Sequence, residues 1–354
     1  MAVENPSKKL KLDGPLIGTH SGHFHADEAL AVSMLRLLPT YASSPLVRTR
    51  DPAVLETCHT VVDVGAEYEP SKNRYDHHQR EFSTTFPGHS TKLSSAGLIY
   101  LNFGKDIIQA VTGLPIGPDL DILFEKIYTD FIEAFDANDN GVNVVDPKGL
   151  EAAGLAKKFE DRGFSIASVV NRYNYTSTPS EGQTKEQRQA DEDLQFSKAS
   201  LFVGEQFVLE LTDRARAWLP ARHAVANAYN DRLQYDPQGR ILVLPDGMPW
   251  ADHLYTLEKE APIPEGVAPQ VLYVLFPEDS ADPKGRTRIR AVSKENGGFV
   301  NRKDLPDAWK GMRDEKLDEL TGVPGGVFIH AAGFIGGHKN FDGALALAQK
   351  ALEL

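Results

Sequence analysis

The sequence predicts an α/β protein built on a parallel sheet, and three observations predict it. Short apolar runs alternate with segments of helical period through the first half of the chain. The runs close on turn signals, and histidines and carboxylates gather just beyond them. In open α/β sheets, ligands bind beyond the carboxyl ends of the strands, so that placement of polar residues suits a parallel sheet covered by helices on both faces.

Taken in order, residues 15–19 read as the first strand and 28–38 as a helix with a broad apolar face, stopped by Pro39. Segments 46–50 and 60–64 read as further strands, the second closing at Gly65. Segments 94–111 and 119–137 read as helices, the latter with Leu120, Leu123, Ile127, Phe131 and Ala134 on one stripe. Segment 176–193 is polar and charged, and predicts a linker or solvated insertion between a first domain, 15–175, and a second half, 194–354. The second half opens with one or two long helices over 194–233, interrupted at Pro220. It continues with strands at 241–244, 270–276, 286–292 and 326–330, and closes with a helix at 341–352. That pattern predicts a smaller α/β domain.

The chain has 354 residues, a formal net charge of −12 and one cysteine, Cys58. An intramolecular disulfide and a cysteine-built zinc site are excluded, so any metal must be held by nitrogen and oxygen. No apolar run approaches the ~20 residues of a membrane span. The acidic balance repels polyanions, which would need a local basic groove or bound cations. Residues 1–14 predict a flexible basic tail, within which 6–13 resembles a short nuclear import signal. It lacks arginine and makes a poor mitochondrial presequence.

Four pieces carry candidate chemistry. The stretch GTHSGHFHADEAL places His20, His23, His25, Asp27 and Glu28 between a strand and a helix, and such donors suit Mn²⁺, Mg²⁺ or Zn²⁺. In VVDVG, Asp63 lies near the end of an apolar strand, where a carboxylate needs a partner. In YDHHQREF, Asp76 is followed by His77 and His78. In FIEAFDANDNGV, Asp136 and Asp139 stand at a helix C-terminus, where their charge opposes the helix dipole. Each alone could be a capped turn or a hydrogen-bonded polar group. Together they could hold two cations bridged by one carboxylate, an arrangement suited to phosphoryl displacement. The pattern His23-x-His25-x-Asp27 also mimics the HxHxDH motif of metallo-β-lactamase-fold hydrolases, but Glu28 stands where that motif has histidine.

In the second half, Arg286, Arg288 and Arg290 alternate along a strand, a face suited either to phosphate oxygens or to solubility. The motif His330-Ala-Ala-Gly-Phe-Ile-Gly-Gly-His338-Lys339 joins a strand to the last helix.

These motifs carry a specific resemblance. Asp76-His77-His78 and the aspartates around it resemble the DHH phosphoesterase superfamily. More closely, THSGHFHADEALA, VVDVGAEYEP, RYDHHQREF, FDANDNGV, WLPAR and HAAGFIGGHK are similar to the melanocyte-proliferating-gene protein family, from about residue 15 onward. The resemblance implies a DHH-like catalytic domain and a 3′→5′ RNA exonuclease of nucleus and mitochondria, acting on single-stranded 3′ ends. It implies two divalent ions, Mn²⁺ before Mg²⁺, held by His20, His25, Asp27, Asp63, His77 and Asp136, with Asp139 a weaker candidate. His25 stands where the superfamily has aspartate, and the gap from His20 is one residue longer than its pattern. The same resemblance gives catalytic roles to Asp63, His78 and Asp136. Substrate contacts fall to His78, Arg286, Arg288, His330, Gly336, Gly337, His338 and Lys339. A pyrophosphatase or small-nucleotide phosphodiesterase on the same centre is the alternative activity, and a metal-stabilised RNA-binding module without turnover the non-enzyme alternative.

Overall fold

The computed structural model describes residues 13–156, 158–159, 163–176 and 181–354. The stretch read as an import signal falls, except for Asp13, outside these residues. The chain divides into two compact units, Met1–Arg214 and Ala215–Leu354.

The first unit runs β1 (Ile17–Thr19), α1 (Ala26–Arg36), β2 (Leu46–Arg48), α2 (Pro52–Leu55), β3 (Thr60–Val62), β4 (Tyr68–Glu69), β5 (Arg74–Tyr75), α3 (Ser95–Thr112), α4 (Pro118–Ile127), α5 (Glu133–Asp139), α6 (Pro147–Ala152), α7 (Ile166–Tyr173) and α8 (Lys185–Asp213). Its sheet has the order β2-β1-β3-β5-β4. The pairs β1–β2, β1–β3 and β3–β5 are parallel, and β4 adds an antiparallel edge. Strands are shorter than the apolar runs suggest because polar residues of the site take over at their ends. On the face carrying Gly18, Val47 and Val61, Leu55 and Cys58 pack closely. A methyl group at Gly18 would stand 2.8 Å from Cys58 Sγ. Helix α1 is apolar nearly all round because it packs against both α3 and α8.

Helix α8 overlaps the segment 176–193 read as a linker or solvated insertion. It begins at Lys185, where Thr184 Oγ1 accepts from Gln187 N (3.2 Å) and Gln187 Oε1 accepts from Thr184 N (2.9 Å). This capping box was legible as T-x-x-Q, but the polar composition of the first turns masked it. Further along, Ser200 Oγ donates to Ala29 O at 2.8 Å, and a methyl at Gly204 would meet Ser33 Oγ at 1.8 Å. The long helix is thus part of the first unit.

The helix read at 119–137 forms as α4 and α5 joined by a π-helical turn, Tyr128–Ile132. Such turns concentrate near functional sites because they rotate the following side chains. Here Asp136 and Asp139 follow it.

The second unit runs α9 (Leu219–Asp231), β6 (Ile241–Val243), α10 (Ala251–Glu260), β7 (Tyr273–Pro277), β8 (Thr287–Ala291), α11 (Asp314–Thr321), β9 (Gly326–Ile329), β10 (Ile335–His338) and α12 (Phe341–Glu353). The sheet order is β6-β7-β8-β10-β9, with β6 and β7 parallel and the other pairs antiparallel. One face packs Tyr273, Leu275, Ile289 and Ile329 on Leu347, Ala348 and Ala351 of α12. On the other face, α9 and α10 pack on Leu242, Val274 and Val292. Strand β10 is a correction to the expectation that the motif 330–339 simply joins a strand to the last helix. Instead His330 N donates to Ile335 O (2.9 Å), closing a hairpin between β9 and β10. Glycine is required there because a methyl at Gly336 would meet Ile329 Cδ1 at 2.4 Å.

Among the described residues, no helix is long and apolar enough to cross a membrane.

Candidate metal centre

Three neighbouring parallel strands, β1, β3 and β5, each end on a candidate residue: His20 after β1, Asp63 after β3, Asp76 after β5. Parallel pairing brings these carboxyl ends side by side, which is why positions so distant in sequence converge. Asp63 adopts a left-handed backbone (φ 58°) while its N–H still donates to Tyr75 O at 3.1 Å. The turn lifts its carboxylate off the sheet edge, and strain of this kind concentrates at functional sites.

Asp63 is the hub. Its Oδ2 lies 3.4 Å from His20 Nε2, and its Oδ1 lies 3.2 Å from His77 Nε2. His20 Nε2 is also 3.0 Å from Glu28 Oε1, and His77 Nε2 is 3.1 Å from Asp139 Oδ2. Asp76 is a brace: one oxygen accepts from His77 N (2.7 Å) and His78 Nδ1 (2.7 Å), the other from Ala66 N (2.6 Å). It therefore ties β5 to the loop after β3, holds the His77 backbone and orients the His78 imidazole. His78 is the exposed member, its side chain 60% accessible.

The donor set fits divalent cations. Buried polar atoms normally find partners, yet Asp27 Oδ1, Glu28 Oε2, Asp63 Oδ1 and both ring nitrogens of His77 have no hydrogen-bond partner among the described residues. The close approaches of His77 Nε2 noted above are off the hydrogen-bonding direction. Ligand atoms converge in three overlapping groups: His20, His25, Glu28 and Asp63; Asp63, Asp76, His77 and His78; and His25, Asp27 and Asp139. Asp63 links the first two groups and His25 links the first and third. These clusters could hold metal ions.

The protonation pattern follows from the same crowding. Burial pulls the His20 imidazole down, but Asp63 and Glu28 outweigh it and hold its pKa up at about 10. Burial likewise opposes the His77 cation, and Asp139 and Asp63 raise it to about 9. Burial pushes Asp63 up, but the two imidazoles outweigh it and hold it at about 2. Asp27 is raised by burial and then by Asp63, Asp139 and Glu28, with Ser95 Oγ at 2.7 Å opposing. A histidine whose pKa is higher folded than unfolded stabilises most below its unfolded value, near 6.5. That stability is lost as pH rises through the folded value. The metal-free chain is therefore expected to lose thermal stability progressively between about pH 6.5 and 10. Saturating metal, which needs neutral imidazoles, should flatten that slope in unfolding scans. A midpoint rising with pH across this window in the metal-free chain would contradict the pairing.

Asp136 stands elsewhere, a correction to its expected role as the final ligand. One of its oxygens accepts from Ser94 N (2.8 Å), Ser94 Oγ (2.7 Å) and Gly97 N (3.1 Å), the other from Tyr128 Oη (3.0 Å). The Ser94 and Gly97 donors lie at the N-terminus of α3, so the charge that opposes its own helix dipole is met by the dipole of another helix. Burial pushes this carboxyl up to about 6 despite them. Asp139, 17% accessible and close to His77, is the aspartate of this helix that reaches the cluster. Glu28, named among the donors of this stretch but left out of the implied ligand set, accepts from His25 N at 2.8 Å, and its carboxylate is fully buried beside His20. The signal was its position in the first turn, one residue after Asp27.

The cluster opens into a cavity of about 980 Å³, lined also by Arg50, Arg80 and Lys92. These cations set positive charge at the mouth of an acidic site. Arg50 Nη2 lies 3.1 Å from His20 Nδ1, on the side away from the carboxylates.

In the second unit, Arg288 and Arg290 alternate with buried Thr287, Ile289 and Ala291, and Arg286 is exposed just before β8. His330 and Lys339 are exposed. His338 is not: it is buried, with Nε2 3.0 Å from Pro324 O and Nδ1 3.1 Å from Asn340 O. Gly336 faces the core at Ile329, while Gly337 pairs with Arg288. The GGH motif therefore divides between both faces of β10, and its histidine joins the turn into α12 to the loop before β9.

Residues 16–352 match the family model MYG1_exonuc, described as an uncharacterised protein family (UPF0160). A MYG1 protein of Saccharomyces cerevisiae is 41% identical over 98% of this chain and 99% of its own length. MYG1 exonuclease of Homo sapiens is 41% identical over 96% of this chain and 86% of its own. A MYG1 protein of Schizosaccharomyces pombe is 43% identical over 95% and 97%. With matches of this extent on both counts, the chain belongs to the MYG1 family.

Proposed function

We propose that this chain is a metal-dependent 3′→5′ exonuclease of single-stranded RNA, serving RNA processing or turnover. The observation that carries the reading is Asp63, shared by two donor groups whose buried atoms lack hydrogen-bond partners, at the ends of three parallel strands. The name of the human relative, an exonuclease, supports nucleic acid as the substrate.

His20, His25, Glu28 and Asp63 would hold one ion. Asp63, His77 and Asp139 would hold the second, with Asp27 beside it. Two such ions, Mn²⁺ by preference for imidazole-rich donors, would supply charge for the phosphoryl oxygens and acidify the attacking water. His78 acts from the exposed side. Its hydrogen bond to Asp76 raises its pKa, which favours the ring form that would donate to a non-bridging phosphate oxygen. Arg50, Arg80 and Lys92 draw the chain's phosphates into the cavity. Arg286, Arg288, His330, Gly337 and Lys339 are further substrate contacts in this reading. The basic run of the tail supports the nucleus as the first address, and mitochondria and cytoplasm are further addresses in this reading.

The test uses purified chain, Mn²⁺ and a 5′-labelled single-stranded RNA, with pyrophosphate and a matched DNA as parallel substrates. Stepwise shortening from the 3′ end, faster on RNA, is expected. Retention of the RNA without shortening, or turnover confined to pyrophosphate, would overturn the proposal.

A further inference from the structure

We propose that the part of the second sheet left open by α9 and α10 binds unpaired bases by stacking them on Phe328 and Phe334. The guanidiniums of Arg288, Arg290 and Arg313 act beside these rings. The inference rests on the nucleic-acid reading above and adds the residues that distinguish single strands from duplex.

Strand pairing sets Phe276, Arg288, Gly337 and Phe328 in one row across β7, β8, β10 and β9. Gly337 is the level point of that row. A methyl there would stand 3.3 Å from the Phe328 ring and 3.4 Å from Arg288 Nη1, so both side chains lean over the glycine. The Arg288 guanidinium lies 4.9 Å from the Phe328 centroid, and that of Arg313 lies 5.7 Å from it. Arg290 sits 4.5 Å from the Phe334 centroid, and the exposed His330 ring lies 4.5 Å from Phe334 on centroids. Both phenylalanines are only partly buried.

A phenylalanine serving the core would be closed off, and an arginine serving solubility would not hover over a ring. Partly exposed rings interleaved with guanidiniums offer a π-face and a cation to each unpaired base, which is how single strands are held without base pairing. A duplex hides its base faces within its own stack and cannot use the rings. The concentration of arginine is also local, in a chain of net charge −12, so it complements a polyanion the rest of the chain repels. Glu278 Oε1 lies 3.1 Å from Arg288 Nε and competes with a phosphate for it.

The experiment measures binding of a short fluorescent single-stranded RNA to the full chain in chelator, where nothing is hydrolysed. The variants are F328L/F334L, which keeps apolar volume without rings, and E278Q. The double variant is expected to bind about tenfold more weakly, with its unfolding midpoint and its Mn²⁺-dependent hydrolysis of bis(p-nitrophenyl) phosphate unchanged. E278Q is expected to bind more tightly. Wild-type affinity in the double variant, or equal wild-type affinity for duplex and single strand, would overturn the stacking assignment while leaving the exonuclease reading intact. Failure of the wild type to bind or shorten any oligonucleotide, with bis(p-nitrophenyl) phosphate still hydrolysed, would overturn both.

Discussion

Asp63→Asn is expected to lower the metal-dependent hydrolysis rate by about a thousandfold while leaving the fold in place. Asparagine tolerates the left-handed backbone that position 63 requires, and it has almost the same volume. What it removes is charge. His20 and His77 each lose the carboxylate they share, and both donor groups lose their common member. The loss should therefore appear in metal binding as well as turnover. Wild type should show a thermal midpoint that climbs with Mn²⁺ concentration, as any ligand of the native state requires. The variant should show little or none of that climb. Retention of both metal stabilisation and turnover in Asp63→Asn would remove Asp63 from the centre.

Asp136→Ala and Asp139→Asn are expected to fail in opposite ways. Removing the Asp136 carboxylate strands the Ser94 N–H, the Gly97 N–H and the Tyr128 hydroxyl in a buried site. Each orphaned donor costs roughly 1–3 kcal/mol, so the three together should cost about 3–9 kcal/mol. For a unit of this size the midpoint should fall by about 10 °C with or without metal. Gly97→Ala should act similarly, because its methyl would stand 2.4 Å from both Asp136 oxygens. Asp139→Asn touches no such network. Its metal-free midpoint should fall only slightly near neutral pH, through the lost pairing with the His77 cation, while metal stabilisation and turnover fall together. A pair of scans with and without Mn²⁺ separates the two. Normal metal-free stability in Asp136→Ala with lost metal binding would return that residue to the ligand set.

This pair also shows where reading the sequence succeeds and where it stops. His20 and Asp63 were legible because each stands at the end of a short apolar run, and parallel pairing aligns strand ends; the Asp76-His77-His78 run was legible only as a motif, because the two-residue strand before it, Arg74–Tyr75, shows no apolar run. The choice between Asp136 and Asp139 was not legible. It depends on the π-helical turn at Tyr128–Ile132, which changes the rotation of all that follows by an amount no residue pattern announces. Asp136 was rightly read as a charge needing compensation, but the compensator is the N-terminus of α3, a tertiary fact. Glu28 stood among the donors of GTHSGHFHADEAL, but nothing in the sequence set its carboxylate 3.0 Å from His20 Nε2, which is a tertiary fact. In the second half, the arginine alternation of β8 was plain from period two. The glycines of IGGH hid a strand, because glycine ordinarily signals a turn and here serves close approach to Ile329 and Phe328. The first turns of α8 were hidden in the same way, by polar composition standing over a capping box.

The central claim is that Asp63 joins two cation sites made by side chains from β1, α1, β3, β5 and α5. Anomalous diffraction at the manganese edge, on crystals of the full chain soaked in Mn²⁺, tests it most directly. Two peaks about 3.5–4 Å apart, sharing Asp63, with Glu28 and His20 at one, His77 and Asp139 at the other, and Asp136 at neither, are the expected result. A single peak away from Asp63, or none under saturating manganese, would contradict the account.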